Sequence, residues 1–176
     1  MIEISKTYSE KVPAMRFIGK QYSDADRVDG TFGYHWCKWN EENLFSIIRE
    51  AGGGIHSQQQ LCTDGEAAIG LMRAKEGEPF QYWIGMFTPA HTVVPEGFDY
   101  VDFEASVVGT GWIHDREENL YCHECEVAQK LTESGHEIIM DSKGATWFFE
   151  RYVDPRFSAP DKDEKVILDI CFFVKE

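Results

Sequence analysis

The chain has 176 residues, of which 43% are hydrophobic, so it can bury a core and is not a disordered chain. Seventeen basic residues against thirty-one acidic ones give a formal net charge of −14, which repels nucleic-acid phosphates and anionic membranes. We therefore expect no direct nucleic-acid binding and no membrane association. The lack of a secretory leader or a bilayer-length apolar run predicts a cytoplasmic protein.

The first half of the chain predicts the element order strand, helix, strand, strand. Residues 2–22 are typical of an extended segment, and Pro13 restricts its middle to a bend or a sheet edge. From 34–51 the apolar residues recur at helical spacing and three glycines follow, which indicates a helix and its end. Segments 67–74 and 80–87 are typical of two strands that form a hairpin.

The second half repeats this order after a connector over 88–97 that contains two prolines and a glycine. A strand is predicted over 98–112 and a helix over 115–133, with an aspartate placed to cap the helix. Two more strands are predicted at 147–153 and 165–174. Strand, helix, strand, strand therefore occurs twice.

The two predicted helices match each other position by position, which favours a true repeat. When Asn40 is placed over Glu124, three apolar pairs also coincide: Trp36 over Leu120, Leu44 over Ala128 and Ile47 over Leu131. We predict one α+β domain over residues 1–176, built from two repeats at about 1–90 and 98–176. Each repeat has an antiparallel sheet with a helix on one face, and a pseudo-twofold axis relates them, either edge to edge or face to face, with a central cleft between.

The strand at 147–153 carries a carboxylate between aromatic residues. Side chains alternate across a strand, so Phe148, Glu150 and Tyr152 share one face while Arg151 lies on the other. An unpaired buried carboxylate is costly. Glu150 is therefore either solvated at a sheet surface or held where a cationic or proton-sharing group meets it.

No motif in the sequence indicates a metal, a cofactor or a nucleophilic enzyme. Cys122 and Cys125 have zinc-ligand spacing with His123 between them, but a complete site needs a second ligand pair that the sequence lacks. No phosphate-binding loop, dinucleotide fingerprint or nucleophile elbow is present. We predict no metal and no cofactor.

Three short motifs, in this order, resemble the GyrI-like domains, which are named after a bacterial gyrase-inhibitory protein. They are Tyr82-Trp83-Ile84-Gly85, Val94-Pro95-Glu96-Gly97-Phe98 and Phe149-Glu150-Arg151-Tyr152. The same fold is the effector-binding domain of AraC- and MerR-type transcription regulators that respond to many drugs. The resemblance covers nearly the whole chain, so we expect a stand-alone form with no DNA-binding domain.

The resemblance implies a cleft between the two halves in which an acidic residue meets cationic or polar aromatic ligands, and it implies that Glu150 is that acid. Partial burial in such a cleft predicts a pKa for Glu150 above the usual value of about 4.3. Glu124 is either a second cleft acid or, as is more usual for a Glu on an apolar helix face, an acid that lies near a helix end or reaches a polar neighbour. Trp36 is assigned to the buried helical stripe. The predicted ligand-binding residues are Glu150, Tyr82, Trp83, Trp39, Trp112, Trp147 and Tyr152.

Three functions follow as hypotheses. The first is a binding protein for hydrophobic, cationic or planar aromatic small molecules. The second, implied by the resemblance, is a hydrolase of reactive cyclopropane-bearing compounds. In it Glu150 acts as general base or orients water, and a tyrosine, Tyr82 or Tyr152, donates a hydrogen bond to the oxyanion. The third is an acidic module that binds a basic protein partner.

Overall fold

Eight β-strands and three α-helices are formed by the residues that this computed structural model describes, which are 2–54, 57 and 60–175. The predicted α+β class is confirmed. No helix within these ranges has the length and apolar character needed to cross a membrane. The strands are β1 (Ile4–Val12), β2 (Met15–Tyr22), β3 (Ala68–Ala74), β4 (Gln81–Pro89), β5 (Asp99–Phe103), β6 (Ser106–Asp115), β7 (Thr146–Tyr152) and β8 (Val166–Val174). The α-helices are α1 (Gly33–Glu41), α2 (Leu44–Ala51) and α3 (Glu124–Glu133).

All eight strands form one antiparallel sheet in the order β1-β6-β8-β7-β3-β4-β2-β5. The order is symmetric: when β1 is swapped with β5, β2 with β6, β3 with β7 and β4 with β8, the same order results, read from the opposite edge of the sheet. The halves join edge to edge through β3 and β7, where Gly70 is paired with Glu150. Glu150 therefore lies at the centre of the sheet. The division into repeats at about 1–90 and 98–176 stays a prediction.

Both predicted helices are shorter than the sequence pattern indicated. Segment 34–51 is divided into α1 and α2 at Asn43, whose φ of 54° is left-handed, a conformation that asparagine tolerates. The helix predicted over 115–133 begins only at Glu124. Ladder pairing with β8 holds the backbone extended as far as Asp115, and a short 3-10 helix follows at Glu117–Asn119.

The strand predicted over 98–112 is two strands, because the chain crosses from one half of the sheet to the other at residues 104–105. Strand β5 pairs with β2 in the first half, whereas β6 pairs with β1 and β8 in the second. Of the bend or sheet edge predicted at Pro13, the structure has a break between β1 and β2, where the chain makes the matching crossing. Each half thus contributes one edge strand to the other.

The helices cover the face of the sheet that carries Glu150, and they form two apolar cores there. In the first half, Ile48 of α2 packs with Ile84 of β4. In the second half, Val127 of α3 packs with Ile170 of β8. Both pairs are fully buried. The space between these cores is where the two halves meet above Glu150.

The opposite face of the sheet has a third core, which is rich in aromatic rings. Phe17, Leu71 and Phe149 are buried in it. The sheet curves so strongly that Phe103 of β5 stacks on Phe173 of β8, with ring centroids 4.8 Å apart. The curved sheet therefore encloses this core together with residues outside the strands, such as the buried Leu61.

Candidate functional site

A cleft of about 1030 Å³ lies between the sheet and the helices, and both halves of the chain contribute its walls. This volume is at the upper end of the range of roughly 300–1,000 Å³ that is typical of small-molecule sites. Aromatic side chains form much of the lining: Phe32, Trp36, Phe45, Phe80, Tyr82, Tyr121, Phe148, Tyr152 and Phe157.

Glu150 lies in the floor of this cleft and is only 5% exposed. One of its carboxylate oxygens, Oε2, accepts hydrogen bonds from the hydroxyls of Tyr152 at 2.9 Å and Tyr82 at 3.1 Å. The indole Nε1 of Trp36 donates to the Tyr82 hydroxyl at 3.0 Å. The other oxygen, Oε1, accepts no hydrogen bond from any described residue, so it is available to a bound group.

The pKa of Glu150 is raised to about 7, mainly because burial disfavours the charged form. The negative charge of Glu124 raises it further, while the hydrogen bonds from Tyr152 and Tyr82 lower it. The direction agrees with the sequence prediction. No Lys, Arg or His nitrogen of a described residue lies within 4.0 Å of this carboxylate, so no internal cation offsets the burial.

Two aromatic contacts hold the tyrosines around Glu150 in place. Phe32 stacks on Tyr82 with ring centroids 4.1 Å apart and planes 3° from parallel. Trp36 meets Tyr152 edge-on at 4.9 Å. Because each ring has a fixed neighbour, both hydroxyls are aimed at the same carboxylate oxygen.

Gly70, on the strand paired with β7, leaves the space in which this group forms. A Cβ at this position would lie 2.7 Å from the Tyr82 hydroxyl and 2.8 Å from Oε2 of Glu150. Both distances are shorter than such contacts allow. The glycine is thus required by the side chains above it.

Replacing Gly70 by alanine should lower the free energy of unfolding by about 1–3 kcal/mol, because the added methyl overpacks a buried site. Urea unfolding of Gly70→Ala measures this loss. Gly33→Ala is the matched control, since a Cβ there meets only Thr31 Oγ1 at 3.4 Å at the start of α1. Equal stability of the two variants would show that the site has room for the methyl group.

Three of the seven predicted ligand-binding residues line the cleft, and these are Glu150, Tyr82 and Tyr152. Trp39 does not line it. Its indole is 1% exposed in the core beneath α1 and α2, where Nε1 donates to the Tyr22 hydroxyl at 2.9 Å. Trp39 is therefore a core residue, and its inclusion in the site is corrected.

Trp83, Trp112 and Trp147 lie on the opposite face of the sheet, so their inclusion in the site is also corrected. The reason is strand alternation. Trp83 is next to Tyr82 in β4, and Trp147 is an odd number of residues from Glu150 in β7. Trp112 is in register with Asp169, which pairs with Arg151 rather than with Glu150.

The sequence analysis missed Trp36 and Gly70 as site residues. Trp36 fits the apolar stripe of its helix, so its pattern is that of a core residue, yet it lines the cleft together with Asn40 one turn later. That polar residue on the same helical stripe was the available signal. Gly70 carries no local signal, because its role depends on pairing with a strand that is distant in sequence.

Cys122 and Cys125, which have zinc-ligand spacing, are free and exposed. Cys122 precedes α3 with a left-handed φ of 67°, and Cys125 lies within the helix. Within the described part of the chain, no group of three or more His, Cys, Asp or Glu side chains is arranged to hold a metal ion.

The fold of this chain is shared with solved structures, although no protein-family model and no curated protein sequence matches it. A protein from Staphylococcus aureus MU50, described as a bacterial transcription regulation protein, is 14% identical, with a TM-score of 0.61 over 97% of this chain and 99% of that one. The protein SAV2435, bound to tetraphenylphosphonium, is 15% identical, with a TM-score of 0.62 over 97% of this chain and 94% of that one.

The third similar structure is EcmrR in complex with DNA, which is 12% identical, with a TM-score of 0.58. The match covers 97% of this chain but 57% of EcmrR, so this chain spans little more than half the length of that protein. At these identities the likeness establishes the fold. The chemistry of the site has to be argued from its own residues.

Proposed function

We propose that this chain binds a hydrophobic, permanently cationic aromatic small molecule in the cleft, with the carboxylate of Glu150 opposite the positive charge. One observation carries the proposal. A buried carboxylate, with a pKa raised to about 7, has a free oxygen at the floor of a wide aromatic cleft and has no cation near it among the described residues. Water solvates a buried carboxylate poorly, so an organic cation that contacts it stabilises its negative charge.

The aromatic walls favour the same ligand. The face of an aromatic ring attracts a cation through its quadrupole, with a contribution of about 0.5–2 kcal/mol per contact. Trp36 and Tyr152 stand beside Glu150. A ligand with a delocalised charge and an apolar body would therefore meet both charge and surface that suit it.

The fold likeness supports this proposal. SAV2435, whose fold this chain shares, is bound to tetraphenylphosphonium, a hydrophobic cation with four phenyl rings. The sequence resemblance to GyrI-like effector-binding domains indicates the same class of ligand. Tetraphenylphosphonium is therefore a suitable first probe.

Replacing Glu150 by glutamine should weaken binding of tetraphenylphosphonium by about tenfold to a hundredfold, because the amide keeps the volume but removes the charge. Isothermal titration at about pH 8.5, where Glu150 is ionised, measures this change. Triphenylphosphine oxide, a neutral compound of similar shape, should bind the two proteins about equally. Equal affinity of the two proteins for the cation would exclude the proposed role of Glu150.

A further inference from the structure

Charged residues line the cleft unevenly. The first half contributes two arginines, and each is already paired. Arg27 donates to Asp24 at 2.9 Å and lies over the Phe32 ring at 4.4 Å. Arg49 forms an ion pair with Glu66, which lines the same wall. The first half thus presents mainly aromatic surface, with its charges neutralised.

Neither of these basic residues comes from the second half. The second half instead contributes four carboxylates to the lining: Glu117, Glu124, Glu150 and Asp154. In the described ranges, no Lys, Arg or His nitrogen lies within 4.0 Å of any of these four groups. Glu117 and Asp154 are exposed at the rim, whereas Glu124 is half-buried and Glu150 is buried. Aromatic residues therefore line both halves of the cleft, whereas the four acids without a nearby cation all come from the second half.

Glu124 is the acid best placed to act together with Glu150. It lies in the first turn of α3, where the positive end of the helix dipole favours a carboxylate. Both carboxylates line the same cleft, and the negative charge of Glu124 contributes to the raised pKa of Glu150. One bound positive charge would relieve only part of this repulsion between like charges.

We propose that the ligand is an aromatic dication, with one positive charge opposite Glu150 and the second opposite Glu124. This inference rests on the proposed cation binding and specifies its ligand class. The aromatic body lies against Trp36 and Phe45, which α1 and α2 present on the opposite wall. Both acids line the same cleft of about 1030 Å³, which has room for an aromatic body with two charges.

An organic dication fits these acids better than a divalent metal ion. A metal ion needs oxygen ligands gathered at about 2.0–2.6 Å around one point. Among the residues that the structure describes, no group of acidic side chains is gathered in this way. Separate carboxylates along one aromatic cleft instead match positive charges that are separated on a rigid body.

Ethidium and propidium provide a matched pair of probes. They share the phenanthridinium ring, and propidium carries a second, quaternary ammonium charge on a short arm. Fluorescence titration at about pH 8.5 keeps Glu150 ionised for both dyes, and the substitutions below separate the effect of the second charge from that of the arm that carries it. The wild-type protein should bind propidium about tenfold more tightly than ethidium or better.

Two Glu→Gln substitutions test whether Glu124 is the acid that binds the second charge. Glu124→Gln should reduce the preference for propidium to about twofold or less, because propidium should lose more affinity than ethidium. Glu118→Gln removes the same charge from an exposed position next to Glu117 but outside the cleft, and should keep the preference. An equal loss in both variants would overturn the inference, because overall surface charge would then explain the preference.

The outcome for Glu150→Gln separates the two proposals. If ethidium binding depends on Glu150 but propidium binds no more tightly than ethidium, the dication inference fails and the proposed function stands. If neither dye responds to Glu150→Gln, the proposed function itself fails. Support for the dication requires a preference for propidium that Glu124→Gln removes and Glu118→Gln does not.

Discussion

Replacing Arg151 by methionine should lower the free energy of unfolding by about 3–5 kcal/mol, because buried acidic groups lose one of their cationic partners. Arg151 is 3% exposed, and its side chain lies on the sheet face opposite Glu150. It donates to Asp169 at 3.0 Å, to Glu10 at 3.1 Å and to the Tyr8 hydroxyl at 2.8 Å. These contacts join the edge strand β1 to the centre of the sheet.

Asp169 is the group that makes this loss large. Its carboxylate is fully buried and is shared between Arg151 and Arg156, which lies 2.6 Å away. Without Arg151, Asp169 keeps the guanidinium of Arg156, while Glu10 loses its ion pair and keeps the hydrogen bond from the Thr63 N–H. Methionine fills much of the arginine volume but cannot donate a hydrogen bond, so the burial of these acids is compensated only in part.

Urea unfolding compares Arg151→Met with Arg116→Met, whose ion pair with Glu164 is exposed on both sides at 3.5 Å. The control should lose less than about 1 kcal/mol, as is usual for surface pairs. Adding Asp169→Asn to Arg151→Met should recover part of the stability, because the amide removes the stranded charge. A loss at Arg151 no greater than at Arg116 would show that the network is not a net source of stability.

Strand periodicity was sufficient to predict the position of Glu150 but not its partners. Alternation in one strand already places Glu150 with Tyr152 and away from Arg151, and the structure has this arrangement. The second hydroxyl, from Tyr82, reaches the same oxygen only because β3 lies between β4 and β7. This strand order depends on pairing between segments that are distant in sequence, so the spacing of residues along the chain does not predict it.

The tryptophans show that residue type alone does not identify which side chains line the cleft. Trp147 shares its strand with Glu150 at odd spacing, so alternation alone places it on the opposite face, where its Nε1 donates to Asp141 at 3.0 Å. Trp36 was assigned to the core because an apolar residue on a helical stripe usually packs there. The helix in fact ends near Asn43, and the turn that carries Trp36 lies over the junction between the halves.

Replacing Glu150 by glutamine should raise the free energy of unfolding relative to the wild type at mildly alkaline pH, by up to about 3 kcal/mol. The folded-state pKa of Glu150 is about 7, against about 4.5 for the unfolded chain. Between these values the folded protein binds more protons than the unfolded one. Wild-type stability should therefore fall as the pH rises through this window, and the substitution removes that fall.

The measurement is urea unfolding of both proteins at several pH values between about 5 and 8. Groups that titrate equally in both proteins cancel in the difference between the two curves, so the histidines do not obscure the effect. The difference should be smallest near pH 5, grow up to about pH 7 and then level off. Glu118→Gln makes the same chemical change at an exposed position and should track the wild type. Parallel curves for the wild type and Glu150→Gln would mean that Glu150 is ionised in the folded protein throughout.

The same linkage connects stability to the ligand. An ionised Glu150 in an empty cleft destabilises the fold, and a bound cation removes that penalty as well as adding its own binding free energy. At pH 8, saturating tetraphenylphosphonium should therefore stabilise the wild type more than Glu150→Gln, and the two unfolding midpoints should converge. At pH 5, where the carboxyl is protonated, the ligand should stabilise the wild type much less than it does at pH 8. Glu150 thus makes the ligand-free protein less stable above neutral pH. The bound cation restores the stability of the protein through the same group.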